Sequence, residues 1–208
     1  MSDDPPNRAE VERLLAEIKP ILDSKIAEGR PLKKVDPEFS YEELLLESPR
    51  GCLLSSAAFL DDILENRIRQ RLTELSAAST KDLDFLLKNR PMPPLGSFGV
   101  RITVARVLGI IGDDIRRALA AVQNIRNSKA HSWQGFRFTL KDVRSITTHF
   151  STEDQRLIKS TSDLIELYIQ SQQGPLAGLL ARPSNEQIQF IFAVTHLISE
   201  ISPVDSGS

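Results

Sequence analysis

Residues 120–133 read AAVQNIRNSKAHSW. Leu119, Val122 and Ile125 recur at the spacing of one helical face, so this segment is anchored in a core. The end of the same stretch packs Arg126, Asn127 and His131 into six residues. No other part of the chain concentrates hydrogen-bonding and titratable side chains so tightly. Gly112 ends the helix before it, and Asp113 or Asp114 caps the helix that carries it.

The same helical period continues outward in both directions. Upstream, Ser97 caps a helix with Val100, Val104, Leu108 and Ile111 as its core face. RPMPPLGSF before it is a proline-rich loop, and Thr80 caps the short helix TKDLDFLLKN. Ser48-Pro49 places a hydroxyl at an N-cap and a proline at the first helical position of a long helix reaching about Leu75. Its seam is Leu53, Ala57, Leu60, Leu64, Ile68 and Leu72. Its other face, with Asp61, Asp62, Glu65, Arg67, Arg69 and Arg71, reads as a solvated surface. Ser40 with Glu43 forms a capping box for a short helix to Glu47. Asn7 starts an apolar-striped helix to about Glu28, which Pro20 kinks, and Arg30–Phe39 is a polar loop.

Downstream, residues 134–138 form a loop or a brief extended segment. Thr139 with Asp142 starts a short helix through Phe150, and Ser151 with Asp154 a longer one striped by Leu157, Ile158, Leu164, Ile165 and Tyr168. The latter ends before Gly174-Pro175. Ser184 with Gln187 caps a last helix to about Ile201, apolar nearly all round and therefore buried. No alternating strand pattern and no internal repeat appears. The fold expected is all-α, a bundle of seven to nine helices, with residues 1–6 disordered, 7–202 forming a single helical domain and 203–208 a flexible tail. Its centre is expected to be the helices at Pro49–Leu75, Ser97–Ile111, Asp114–His131 and Ser151–Gln170.

Composition narrows the function. The chain has 208 residues, a net charge of -2 and a single cysteine. That balance lacks the broad basic footprint of a free-standing DNA-binding domain, and one cysteine allows no intrachain disulfide. The start, MSDDPPNRAE, has no apolar core of a signal peptide. No apolar run approaches the roughly 20 residues of a membrane span. A cytoplasmic protein is expected. His149 and His196 stand alone, so no metal site and no cofactor is implied. Cys52, in an apolar helix start, reads as packing. PLGSFG lacks the lysine and the preceding strand of a phosphate-binding loop. Arg101, Arg106, Arg116 and Arg117 read as a solvated face interleaved with acids. LGIIGDDIRRAL has a glycine between two helices, but core positions claim the second, so it is not a DNA-reading helix-turn-helix.

Arg126, Asn127 and His131 carry two readings. A helix turns about 100° per residue, which stacks Asn127 near His131 and separates Arg126 from His131 by about 140°. Arg126 and His131 share a cleft only if the helix end unwinds or two chains bring their copies together. In a phosphodiester site, the arginine would hold phosphate and the histidine would transfer a proton. In a purely structural helix end, His131 and Asn127 would satisfy orphan carbonyls and Arg126 would pair with a carboxylate.

Three blocks within Ser48–Trp133 resemble the mannitol operon repressor (MtlR-type) family. They are SPRGCLLSSAAFLDDILENRIRQRL, PLGSFGVRITVARVLGII and IRNSKAH, in that order. The middle block is the most specific, with Pro94-Leu95-Gly96-Ser97-Phe98, then Arg101, then Leu108-Gly109. The resemblance implies an all-helical bundle that represses a mannitol or sugar-alcohol operon through other regulatory proteins. DNA association would then be indirect. The third block also resembles the Arg-polar-His signature of the HEPN superfamily, matched by Arg126, Asn127 and His131. Active members are metal-independent ribonucleases with paired motifs at a dimer interface. By that resemblance His131 would activate a ribose hydroxyl, Arg126 would steady the phosphate and Asn127 would orient them, with RNA as substrate in a toxin or defence role. Mannitol-repressor relatives usually follow the asparagine with an acidic and a bulky apolar residue. This chain has Ser128-Lys129, which adds positive charge beside the trio. The functions carried forward are a non-enzymatic regulator, a HEPN-like ribonuclease and a non-catalytic scaffold, each as a homodimer without membrane association.

Overall fold

In the computed structural model, residues 41–75, 79–87, 93–129, 135–171 and 183–202 are described, together with Pro20. Eight helices stand among them, and no strand. They are α1 (Tyr41–Leu46), α2 (Pro49–Leu75), α3 (Thr80–Leu87), α4 (Phe98–Val107), α5 (Asp113–Lys129), α6 (Leu140–Thr147), α7 (Thr152–Ser171) and α8 (Asn185–Ile201). The all-α bundle read from the helical period is the observed fold. The expected helix over 7–28 apart from Pro20, the Arg30–Phe39 loop, Ser40, the 175–182 connector and both chain ends lie outside the described residues.

Most helix starts follow the capping chemistry. Ser48 Oγ accepts from Gly51 N at 3.0 Å. Ser97 caps α4 through Val100 N, and Ser184 caps α8 through Gln187 N. Thr139 and Asp142 form a reciprocal capping box at α6, and Asp154 N donates to Ser151 Oγ at 3.1 Å ahead of α7. One start is displaced by a residue. Ser79, not Thr80, caps α3, because its hydroxyl receives Asp82 N while Asp82 receives the Ser79 backbone N–H.

The centre of the bundle is α8. Ile188, Phe190, Ile191, Phe192, Ala193, Val194, Leu197, Ile198 and Ile201 are all buried, as a helix apolar on every side requires. It packs against α7, α2, α1, α6 and α5, so the four helices expected to form the centre instead surround it or one another. Buried Gln187 fixes its start by donating to Glu47 O at 3.0 Å. Asn185 donates to Glu166 of α7 at 2.5 Å. Phe138, in the irregular segment before α6, stacks on Phe190 at 4.3 Å between ring centres.

The seam of α2 is buried as its spacing predicts, from Leu53 through Ala57, Leu60 and Leu64 to Ile68. On α5, Leu119, Val122 and Ile125 are buried, together with Ala118 and Ala121.

Two faces are rotated from the expected ones. On α4 the inward residues are Phe98, Arg101, Ile102 and Ala105. Of the expected face, Ile111 is buried, but Val100 is exposed and Val107, between Val104 and Leu108, is 80% exposed. The spacing of valines and leucines on this short helix fitted two faces, and the partners of Arg101 decide between them. On α7 the inward positions are Ile158, Thr161, Ser162 and Ile165, while Leu164 and Leu167 are exposed. Small polar residues let α7 lie close to α8, and Ser162 Oγ satisfies itself on Ile158 O at 2.7 Å. The helix α4 also ends earlier than expected. Gly109, with φ +71, takes the left-handed position that closes it. Ile110 N reaches back to Ala105 O at 2.9 Å and Gly109 N to Arg106 O at 3.1 Å. Gly112 instead precedes α5, its carbonyl accepting Arg116 N.

Candidate functional site

The surface expected to be solvated on α2 contains a charge chain, buried at Arg101 and Glu65 and partly exposed elsewhere, that joins three helices. Arg101 of α4 enters it with its side chain 7% exposed. Its Nη2 donates to Glu65 Oε2 at 2.6 Å, its Nη1 lies 2.9 Å from Asp61 Oδ1, and its Nε donates to Leu95 O at 2.9 Å. Arg69 continues the chain, 3.8 Å from Glu65 Oε1 and 2.9 Å from Asp84 Oδ1 of α3. In space the charges alternate along the path Asp61, Arg101, Glu65, Arg69, Asp84. Burial pushes the Asp61 carboxyl above its ordinary value, and the hydrogen bond and charge of Arg101 pull it partly back. Glu65 and Arg101, expected on solvated faces, are instead buried, because each satisfies the other's charge. No local pattern announces the network: on α2 the acids Asp61, Asp62 and Glu65 come before Arg67, Arg69 and Arg71, and Arg101 lies some forty positions beyond Asp61.

The end of α5 positions the residues of the third block. Arg126 and Asn127 lie in its last turn, and both are exposed. Among the described residues neither side chain makes a hydrogen bond or an ion pair. Arg126 acts on Asp61 only through its field, lowering that carboxyl slightly. His131 lies outside the described residues, as does Trp133.

Lys129, two residues past Asn127, does the structural work at this helix end. Its Nζ donates to Asp142 Oδ2 of α6 and sits 5.2 Å from the centre of the Phe136 ring. Asp142 Oδ2 also accepts Thr139 N at 2.8 Å and Thr139 Oγ1 at 2.7 Å. Burial alone would raise the Asp142 carboxyl, but Lys129 and Thr139 outweigh it and hold it below its ordinary value. Ser128 Oγ donates to Ile125 O at 3.1 Å. The charge that Lys129 brings is thus spent on Asp142 and is not offered beside Arg126.

The isolated histidine His196 sits at the core edge, its ring against Phe150 at 4.4 Å and 4.0 Å from Asp154 Oδ2. Among the described residues no three His, Cys, Asp or Glu side chains cluster as a metal-ligand set, and no helix is long and apolar enough to cross a membrane. Cys52 is fully buried, and burial pushes its thiol up to about 12. A nucleophilic role does not fit that setting.

Compared with protein-family models, curated proteins and solved structures, the chain shows no significant match.

Proposed function

We propose that this chain is a non-enzymatic transcriptional regulator of the mannitol operon repressor type, repressing a sugar-alcohol operon through protein partners. The observation that carries the reading is where its motif residues lie. Asp61 and Glu65 of the first block hold Arg101 of the second, and Leu95 of the second closes the same knot. Of the residues most specific to the resemblance, Arg101 and Leu95 help hold α2 and α4 together and Ser97 and Gly109 begin and close α4, so the likeness concerns a shared scaffold. The junction between α4 and α5 also suits a partner-mediated role. The inner face of α5 is buried and its first turn carries Asp113 and Asp114, a poor surface for entering a DNA groove. The exposed Val100 and Val107 on α4 suit contact with protein. A homodimer and indirect DNA association follow from the same reading. Deleting the gene and measuring sugar-alcohol uptake transcripts tests it. The transcripts are expected to rise several-fold and to fall again on complementation. Unchanged transcripts would sink the regulatory reading.

One observation favours the second reading, a HEPN-like ribonuclease. Arg126 and Asn127 are exposed and not used by the fold, because Lys129 and Ser128 secure the helix end. In that case His131, from the same chain or a second copy, supplies proton transfer while Arg126 holds the phosphate. Metal-free cleavage of single-stranded RNA that His131→Ala abolishes would establish it, and intact RNA would exclude it.

A further inference from the structure

A recess of about 230 Å³ lies between the last third of α2 and the turn joining α4 to α5, lined by Arg67, Gln70, Arg71, Glu74, Gly109 and Ile110. We propose that it binds a phosphate group, either as the free ion or as the monoester of a small metabolite. This goes beyond the regulatory reading and does not rest on it.

Arg67 carries the argument. Its Nε is shut from solvent and has no hydrogen-bond partner. Among the described residues its side chain makes one hydrogen bond, from Nη1 to the neutral amide oxygen of Gln70 at 2.5 Å. No carboxylate among the described residues lies within ion-pair distance of it. The shut Nε is out of an external acceptor's direct reach, but Nη2 makes no hydrogen bond among the described residues and stays open to solvent. An acceptor in the recess can therefore meet Nη2 and bring charge beside the unmet Nε. Neighbouring arginines on the same helix behave otherwise: Arg69 spans Glu65 and Asp84, and Arg71 holds Glu74.

Arg67 is not needed to cap α4. The carbonyls of Val104, Ala105 and Arg106 already accept Leu108 N, Ile110 N and Gly109 N in the closing turn. That turn also keeps the wall of the recess low, since a side chain at Gly109 would meet nothing within 4 Å.

The second cation is Arg71, one helical turn beyond Arg67. It pairs at 3.2 Å with Glu74, both side chains being nearly half exposed. Such a pair contributes little to stability and is easily redirected. Two guanidiniums one turn apart match a dianion better than a single carboxylate, and phosphate carries about -1.5 to -2 near neutral pH.

The test is NMR of the full chain, following the arginine Nε–Hε signals and the Gly109 amide at constant ionic strength. The titrants are inorganic phosphate, methyl phosphate and acetate. Arg67 Nε–Hε and Gly109 are expected to shift saturably with one or both phosphates. Acetate is expected to bind about tenfold more weakly, and Arg67→Gln to weaken phosphate binding at least tenfold, the scale of one charge-assisted contact. The stronger of the two phosphates tells free ion from monoester. Circular dichroism checks the fold of the variant. If it misfolds, Arg71→Gln and the wild-type Arg67 signal carry the test. No saturable shift with either phosphate, acetate binding as tight as phosphate, or undiminished binding in the arginine variants would overturn the proposal.

Discussion

Arg101 on α4 donates to Glu65 on α2 across 2.6 Å, with side chains 7% and 6% exposed. Removing one member of a buried pair strands the other, at a typical cost of about 3–5 kcal/mol, whereas replacing both with apolar residues is often close to neutral. Arg101→Met is expected to lose stability on that scale in urea unfolding. Arg101→Met with Glu65→Leu is expected to recover much of the loss. A double variant as unstable as the summed single variants would show that the pair does not act as a unit.

Gly109 closes α4 at φ +71, with open space where a side chain would sit. Gly109→Ala should therefore lose stability through backbone strain alone, by roughly 1–2 kcal/mol. Gly109→Asn should lose less, since asparagine tolerates this region. Equal stability of all three proteins would contradict the turn.

Asp142 makes stability depend on pH. Its folded carboxyl lies below the ordinary 3.8, so its contribution is complete above that value and is lost as pH falls through the depressed one. Asp61, raised by burial, works in the opposite sense: its protonated form is favoured in the fold, and stability falls as pH rises through its folded value. Comparing wild type with Lys129→Met cancels Asp61. The variant is expected to lose about 1 kcal/mol near neutral pH, with a gap that narrows in acid. A gap that stays constant as pH falls would sink the assignment.

Cys52 is buried, and its thiol is pushed up to about 12. The native protein is expected to resist iodoacetamide and to be labelled stoichiometrically once unfolded in urea, as mass spectrometry would report. Rapid labelling of the native chain would place Cys52 at the surface.

Helix identity was legible in the sequence because hydroxyl caps and apolar spacing act locally. Ser48, Ser97, Thr139 and Ser184 each open a helix where expected. Facing was less legible. On α4 the inward side is chosen by Arg101, whose partners Asp61 and Glu65 lie some forty positions earlier in the chain. A charged residue read alone looks like a surface residue. On α7 small Thr161 and Ser162 take buried positions while Leu164 is left exposed, with Ser162 Oγ satisfied on Ile158 O. At the candidate site, Arg126 and Asn127 lie in the exposed last turn of α5, and their relation to His131 falls outside the described residues. The helix end is tied down by Lys129, through Asp142 across a gap of thirteen residues, a contact no local pattern announces.

The claim at the centre of this account is that the protein regulates without cutting RNA. Its most direct test incubates purified wild type and Arg126→Ala with single-stranded RNA in excess EDTA and resolves the products on a denaturing gel. The account predicts RNA as intact with either protein as in buffer alone. Cleavage by the wild type that Arg126→Ala abolishes would contradict it and establish the ribonuclease in its place.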